Sequence, residues 1–295
     1  MSRSIVCGLD ETAGSRHAAS LAARLARDLD SRALLVHVLE APGFLQRFPP
    51  ASIARSRRVR RTLRAVAEEH CFPDGTQTQV RKSHPTSTLV AVAEREDTEL
   101  IVVAAGGRST ASAGLLGSVA TTLMRDAPCP VVAVPAETIA PMDATGMRSV
   151  VCGVAGDDTA PATLRLADDL ATRLGGQLYV VHAYEQATPD ATTSEDDLRR
   201  AAEDRLATAL DAAGSGAHGL VLPLPPAQAL EQVAERHHGA LIAVGFGGHS
   251  EVASIMLGPV PTQLAAEGRT AVVVLPRGTR LEPGSGHYEL VPAAV

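Results

Sequence analysis

The chain has 295 residues, 45% of them apolar and 20% charged, with a net charge of −6. That length predicts two domains, and the composition is that of a globular protein with no apolar run of about 18 residues to cross a membrane. Lys82 is the only lysine; a Walker-type P-loop needs a Gly-Lys pair, so that class of phosphate site is excluded.

Met1–Asp10 lacks the basic-then-apolar layout of a secretory signal, and a cytoplasmic protein is expected. Within it SIVCGL (Ser4–Leu9) reads as a strand, and SRHAASLAARLARDL carries Ala and Leu at helical spacing. Further strands are expected near Ala33–Leu39, Thr76–Arg81, Leu100–Ala104 and Val131–Val134, with a helix over Pro85–Glu96. Short apolar runs alternating with helical patterns predict a parallel sheet with crossover helices. Between the second and third strands, Arg57, Arg60, Arg61 and Arg64 share one helix face while Val59, Leu63 and Val66 share another. Met1–Thr145 carries only +2, so this stripe reads as a solvated or partner-binding face and not as a nucleic-acid patch. Residues 137–147, containing Pro141 and Gly146, read as a linker, and residues 278–295 as a tail without clear period.

The segment after the linker repeats the one before it. SIVCGL matches SVVCGV (Ser149–Val154), and His37 matches His182 at an offset of 145. ELIVVA (Glu99–Ala104) then matches ALIAVG (Ala240–Gly245) at an offset of 141, so the second copy is four residues shorter between these points. A period this long is a domain duplication. The expected domains are residues 1–136 and 148–277. Aromatics make up 2% and Trp is absent, so both cores must be built from Val, Leu, Ile and Ala. Cys7 and Cys152 lie in apolar strand runs as small hydrophobes. His37 and His182 read as packed structural residues. No Cys or His spacing suggests a metal site.

Two features could carry chemistry. After the fourth strand, Gly107 is followed by nine residues and then Gly117 and Ser118, and Gly248 by nine residues and then Gly258 and Pro259. A loop entering a helix offers unpaired amides and the positive end of a helix dipole to an anion; a plain connecting loop has the same composition. Asp10 ends the first strand in GLDETAGS, where ligands of open α/β sheets bind, and its carboxylate suits ribose hydroxyls. The alternative for Asp10 is a helix N-cap.

The residues IVCGLDETAGSRHA, LLVHV and ELIVVAAGG…LLGSVATTLMRDAPCPVVAV resemble the universal stress protein family in its tandem form. The resemblance implies two Rossmann-like (HUP-type) α/β domains, each a five-stranded parallel sheet of order 3-2-1-4-5 with helices on both faces. It implies ATP, or AMP or ADP, as ligand, with Mg²⁺ as a possible companion. Asp10 would meet the ribose and Val38 the adenine, while Gly107, Gly117, Ser118 and Val119 would hold phosphates. Ala104 replaces the first glycine of the family pattern, which requires a negative φ there. The second copy keeps Gly245, Gly248 and Gly258 but has Ala155–Gly156 in place of the carboxylate and Pro259 in place of the serine. One occupied site per chain is therefore expected, in the first copy. The resemblance also implies antiparallel pairing of PVVAVP (Pro130–Pro135) with AVVVLP (Ala271–Pro276) as an internal pseudo-dimer, beside a homodimer or another protein partner.

The leading expectation is a nucleotide-binding stress-response regulator, not an enzyme. The alternatives are a slow ATPase or adenylyl-transfer enzyme, and an interaction scaffold without nucleotide. No SGGxDS, HIGH or GxSxG motif supports catalysis.

Overall fold

The computed structural model describes residues 3–40, 49–106, 115–136, 138, 149–155, 160–185, 194–213, 216–237, 241–247, 257–277, 279–281 and 288–290. The first copy runs β1 (Ser4–Leu9), α1 (Ala13–Asp28), β2 (Arg32–Leu39), α2 (Pro49–Glu69), β3 (Gln77–Lys82), α3 (Pro85–Arg95), β4 (Thr98–Ala104), α4 (Ser118–Asp126) and β5 (Val131–Val134). The second runs β6 (Ser149–Gly153), α5 (Ala160–Arg173), β7 (Gln177–Ala183), α6 (Glu195–Ala212), β8 (His218–Leu222), α7 (Pro226–Arg236), β9 (Leu241–Gly245), α8 (Pro259–Glu267) and β10 (Val272–Leu275). The strands expected from sequence all form; β2 and β4 begin one and two residues earlier than expected.

All ten strands join one sheet in the order β3-β2-β1-β4-β5-β10-β9-β6-β7-β8. Each copy is parallel in the order 3-2-1-4-5, and the copies meet where β5 and β10 pair antiparallel, Val273 opposite Val132. These two all-apolar strands are completely buried, so the pairing removes two edges that would otherwise template aggregation. The edge strand β3, QTQVRK, is polar and only partly buried, as suits a solvent-facing edge.

Because helices cover both faces, central strands bury nearly every residue, and successive side chains feed two different cores. Ile5 and Cys7 pack with Leu25, Leu63, Leu170 and Leu206 on the α1, α2, α5, α6 side. Val6 and Ile101 pack with Leu89, Leu123, Leu230 and Leu264 on the other. Val, Leu, Ile and Ala dominate both, as the missing aromatics require. Burial pushes the Cys152 thiol up to about 12 and raises Cys7 further, so both stay protonated and inert. On α2, Val59 and Leu63 are buried while Arg57, Arg60, Arg61 and Arg64 are exposed, a solvated basic face. Among the described residues no helix is long and apolar enough to cross a membrane.

A second contact between the copies was not expected. Glu99, at the start of β4, is 2% exposed, and its carboxylate accepts from Arg173 Nη1 of α5 at 2.6 Å. Arg3 Nη1 lies 3.6 Å away, Ser31 Oγ donates to the other carboxylate oxygen, and Arg173 Nη2 reaches Leu29 O at 3.2 Å. The cluster is one-sided. By the offsets of the repeat, Ala240 matches Glu99 and Asp28 matches Arg173, so no symmetry mate can form. The tail also differs from expectation, since β11 (Thr279–Leu281) and β12 (Tyr288–Leu290) form a two-stranded antiparallel ribbon. Three-residue strands are too short to register as a period in sequence. The expected linker lies outside the described residues except at Thr138, whose hydroxyl donates to Pro135 O at 2.7 Å.

Candidate functional site

In the first copy a cavity of about 320 Å³ opens at the carboxyl ends of β1, β2 and β4, across the point where strand order reverses. Asp10, Val38, Ala104, Gly117, Ser118 and Val119 all line it. The structure thus brings these six together in one cavity. Gly107 and Arg108 lie outside the described residues.

Asp10 is not the N-cap of α1. That position belongs to Thr12, whose hydroxyl accepts from Ser15 N. Asp10 instead closes the turn before the helix, as Oδ1 accepts from Thr12 N at 2.8 Å and from Thr12 Oγ1 at 2.5 Å, while its own amide donates to Ser15 Oγ. One carboxylate oxygen thus fixes the side chain, and Oδ2 has no hydrogen bond among the described residues. Ala104 meets the condition set by its methyl group. Outside glycine, positive φ among the described residues occurs only at Asp30, Cys71 and Asp97. Ala104 ends β4 in register with Val134.

Gly117 caps α4, and its amide donates to Ala105 O at 2.7 Å. The first intrahelical donor is Thr121 N, to Gly117 O at 2.9 Å. The amides of Ser118, Val119 and Ala120 therefore have no helical partner, and all three residues line the cavity. The second copy reproduces the loop closure: Gly258 N donates to Phe246 O at 3.0 Å and Thr262 N to Gly258 O at 3.2 Å. Yet its first turn reads Pro259-Val260-Pro261. Two of the three donors are missing, because proline has no N–H. Pro259 was recognised from sequence; Pro261 was not, and it completes the loss. Ala155 lines this second cavity where Asp10 lines the first, and Asp157 and Asp158 lie outside the described residues.

Gly8, Glu40, Leu89 and Gly106 also line the first cavity and escaped the sequence reading. The repeat carried a signal for two of them. Gly8 recurs as Gly153 and Glu40 as Glu185, which both line the second cavity. A Cβ on Gly8 would come within 3.0 Å of Leu89 Cδ1 and Val103 Cγ1, so glycine keeps this floor open.

Contrary to what loss of the nucleotide pattern suggests, the second cavity is the larger, about 730 Å³. His182 lies in its wall, 4% exposed, with Nδ1 2.8 Å from Val154 O. A carbonyl only accepts, so Nδ1 carries the proton and Nε2 is an acceptor. Burial lowers the His182 pKa from 6.5; the Val154 bond opposes this, and the Arg205 charge adds to it. The folded protein thus holds this proton less readily than the unfolded chain does. Its stability contribution is complete above about pH 6.5 and is lost as pH falls below that value toward the folded pKa. Urea titrations at pH 7.5 and 5.5 should show a smaller acid loss of stability for His182→Gln than for the parent.

A profile of the universal stress protein family matches residues 1–135 and again residues 146–276. A universal stress protein of Mycobacterium tuberculosis is 27% identical over 199 residues, 65% of this chain and 66% of the relative, so the match spans just under two thirds of the relative's length. A universal stress protein from Archaeoglobus fulgidus shares the fold with a TM-score of 0.69 at 17% identity, covering 94% of this chain and 100% of the other. A functionally unknown protein from Pseudomonas aeruginosa gives a TM-score of 0.59, also at 17% identity, over 93% of this chain and 92% of its own. With the family pattern matched in both copies and the strand order repeated in each, the chain belongs to the universal stress protein family, two copies of its domain in tandem.

Proposed function

We propose that the first copy binds an adenine nucleotide of the ATP class as a regulatory signal, and that the second copy does not. The observation that carries this reading is the pairing, in one cavity, of a turn-fixed carboxylate with three partnerless helix-start amides. Asp10 Oδ2 accepts from the ribose hydroxyls. The amides of Ser118, Val119 and Ala120, with the Ser118 hydroxyl, receive phosphate oxygens. Val36, Val38 and Leu89 give the base an apolar wall. At about 320 Å³ the cavity lies at the small end of ligand pockets, so it encloses the nucleoside while the outer phosphates extend past the start of α4. Any Mg²⁺ would be held chiefly by the phosphates, because Asp10 is engaged by the ribose. Occupancy then acts on the protein's contacts with a partner.

The same geometry implies slow chemistry. Backbone amides and one hydroxyl hold phosphates in their ground state, whereas phosphoryl transfer needs cations on the transferred group and a residue to orient water. Turnover of ATP by protein purified free of contaminating ATPases should fall well below the ~1–100 s⁻¹ of kinases. Multiple turnovers per second that disappear in Ser118→Ala would make the chain an enzyme.

A further inference from the structure

The second cavity has kept the shape of the first and lost its anion chemistry. Its helix start presents one amide, Val260 N, where the first copy presents three, and Ala155 leaves it without the ribose carboxylate. Its charged lining groups among the described residues are one base, Arg205, and one acid, Glu185, both exposed at the mouth. Among the described residues this lining has one base balanced by one acid and so no excess positive charge to attract a polyanion.

The cavity has instead grown toward α5 and α6. Ala160, Thr163, Leu198 and Arg205 line it from those helices, whereas among the described residues no member of α2 reaches the first cavity. The two helices differ in bulk as well. Val59 is buried four residues before Leu63 on α2; on α6 the residue four before Leu206 is the smaller Ala202, also buried. Inside the enlarged space sits His182, whose Nε2 is an acceptor with no hydrogen bond among the described residues. An acceptor that lines the cavity without a protein partner is open to a donor carried by whatever fills the space.

We infer that the second domain is a binding site for an uncharged, mainly apolar small molecule that donates one O–H or N–H hydrogen bond to His182 Nε2. Val154, Val181, Leu230 and Val244 pack its body, and His182 fixes its orientation. The site is separate from the proposed nucleotide site, so one can be full while the other is empty. The chain then reads two chemically different signals through two copies of one fold.

Fluorescence titration of the full chain with 2-naphthol tests this, since the probe is neutral at pH 7, apolar and carries one hydroxyl donor. We expect one saturable site per chain, and binding of 2-methoxynaphthalene, which has no donor, roughly tenfold weaker. His182→Leu should abolish that preference without abolishing binding of the methoxy compound. Ala183→Trp, which fills the cavity from the end of β7, should abolish 2-naphthol binding, with retained ATP binding as the check that the chain is folded. Saturating ATP should leave 2-naphthol bound. Absence of saturable binding, equal affinity for the two naphthalenes, full binding by Ala183→Trp, or displacement by ATP would each overturn the inference.

Discussion

Asp10→Ala should weaken adenine-nucleotide binding by roughly tenfold to a hundredfold while leaving the chain folded. A hydrogen bond to a charged group contributes about 1.5–3 kcal/mol, and each 1.4 kcal/mol is a factor of ten in affinity. The loss is separable from damage to the fold because Thr12, not Asp10, caps α1. Removal of Asp10 costs the turn two acceptor contacts, both to Thr12, and leaves the cap intact. Asp10→Asn keeps an oxygen for the turn but lacks the charge, so its affinity should fall between parent and alanine. Calorimetric titration with ATP measures all three. An Asp10→Ala protein that binds as tightly as the parent would remove the carboxylate from the site.

The largest effect on stability should come from the cluster between the copies. Arg173→Ala takes the 2.6 Å guanidinium partner from a carboxylate that is 2% exposed, leaving Arg3 at 3.6 Å and the Ser31 hydroxyl. Breaking a buried ion pair from one side typically costs about 3–5 kcal/mol. Arg173 is partly exposed, so about 3 kcal/mol is expected. Replacing both partners, as in Glu99→Gln with Arg173→Met, should recover much of the loss, because the desolvated charge itself is gone. Chemical denaturation of the singles and the double reads the coupling directly. A change below about 1 kcal/mol for Arg173→Ala would reduce the contact to an ordinary surface pair.

The duplication made the fold unusually legible. Apolar runs and their recurrence after the linker placed the central strands of both copies, and the apolar character of those runs announced burial on both faces. The antiparallel junction was implied by the family resemblance, and the two apolar edges VVAV and VVVL, which would otherwise be exposed, supported it. Asp10, Gly117 and Ser118 were legible because they stand at a strand end and a helix start, while Val38, Ala104 and Val119 came from the family resemblance; all six line one cavity. Other features depended on chain segments distant in sequence. Glu99 and Arg173 are 74 residues apart, in different copies, and no local pattern joins them. The cap at Thr12 and the turn at Asp10 use the same residue types, so their roles could only be assigned by hydrogen bonds. Pro261 was written in the sequence, but its meaning required knowing that three successive amides point into one cavity. The second cavity is lined from α6 by Leu198 and Arg205, and composition does not reveal how α6 packs over β7.

A crystal structure of the full chain grown with saturating ATP tests the central claim most directly. The account predicts nucleotide in the first copy alone, with ribose hydroxyls within hydrogen-bonding distance of Asp10 and phosphate oxygens on the amides of Ser118, Val119 and Ala120. Nucleotide seated over Pro259 and Pro261, in place of the first site or together with it, would contradict it.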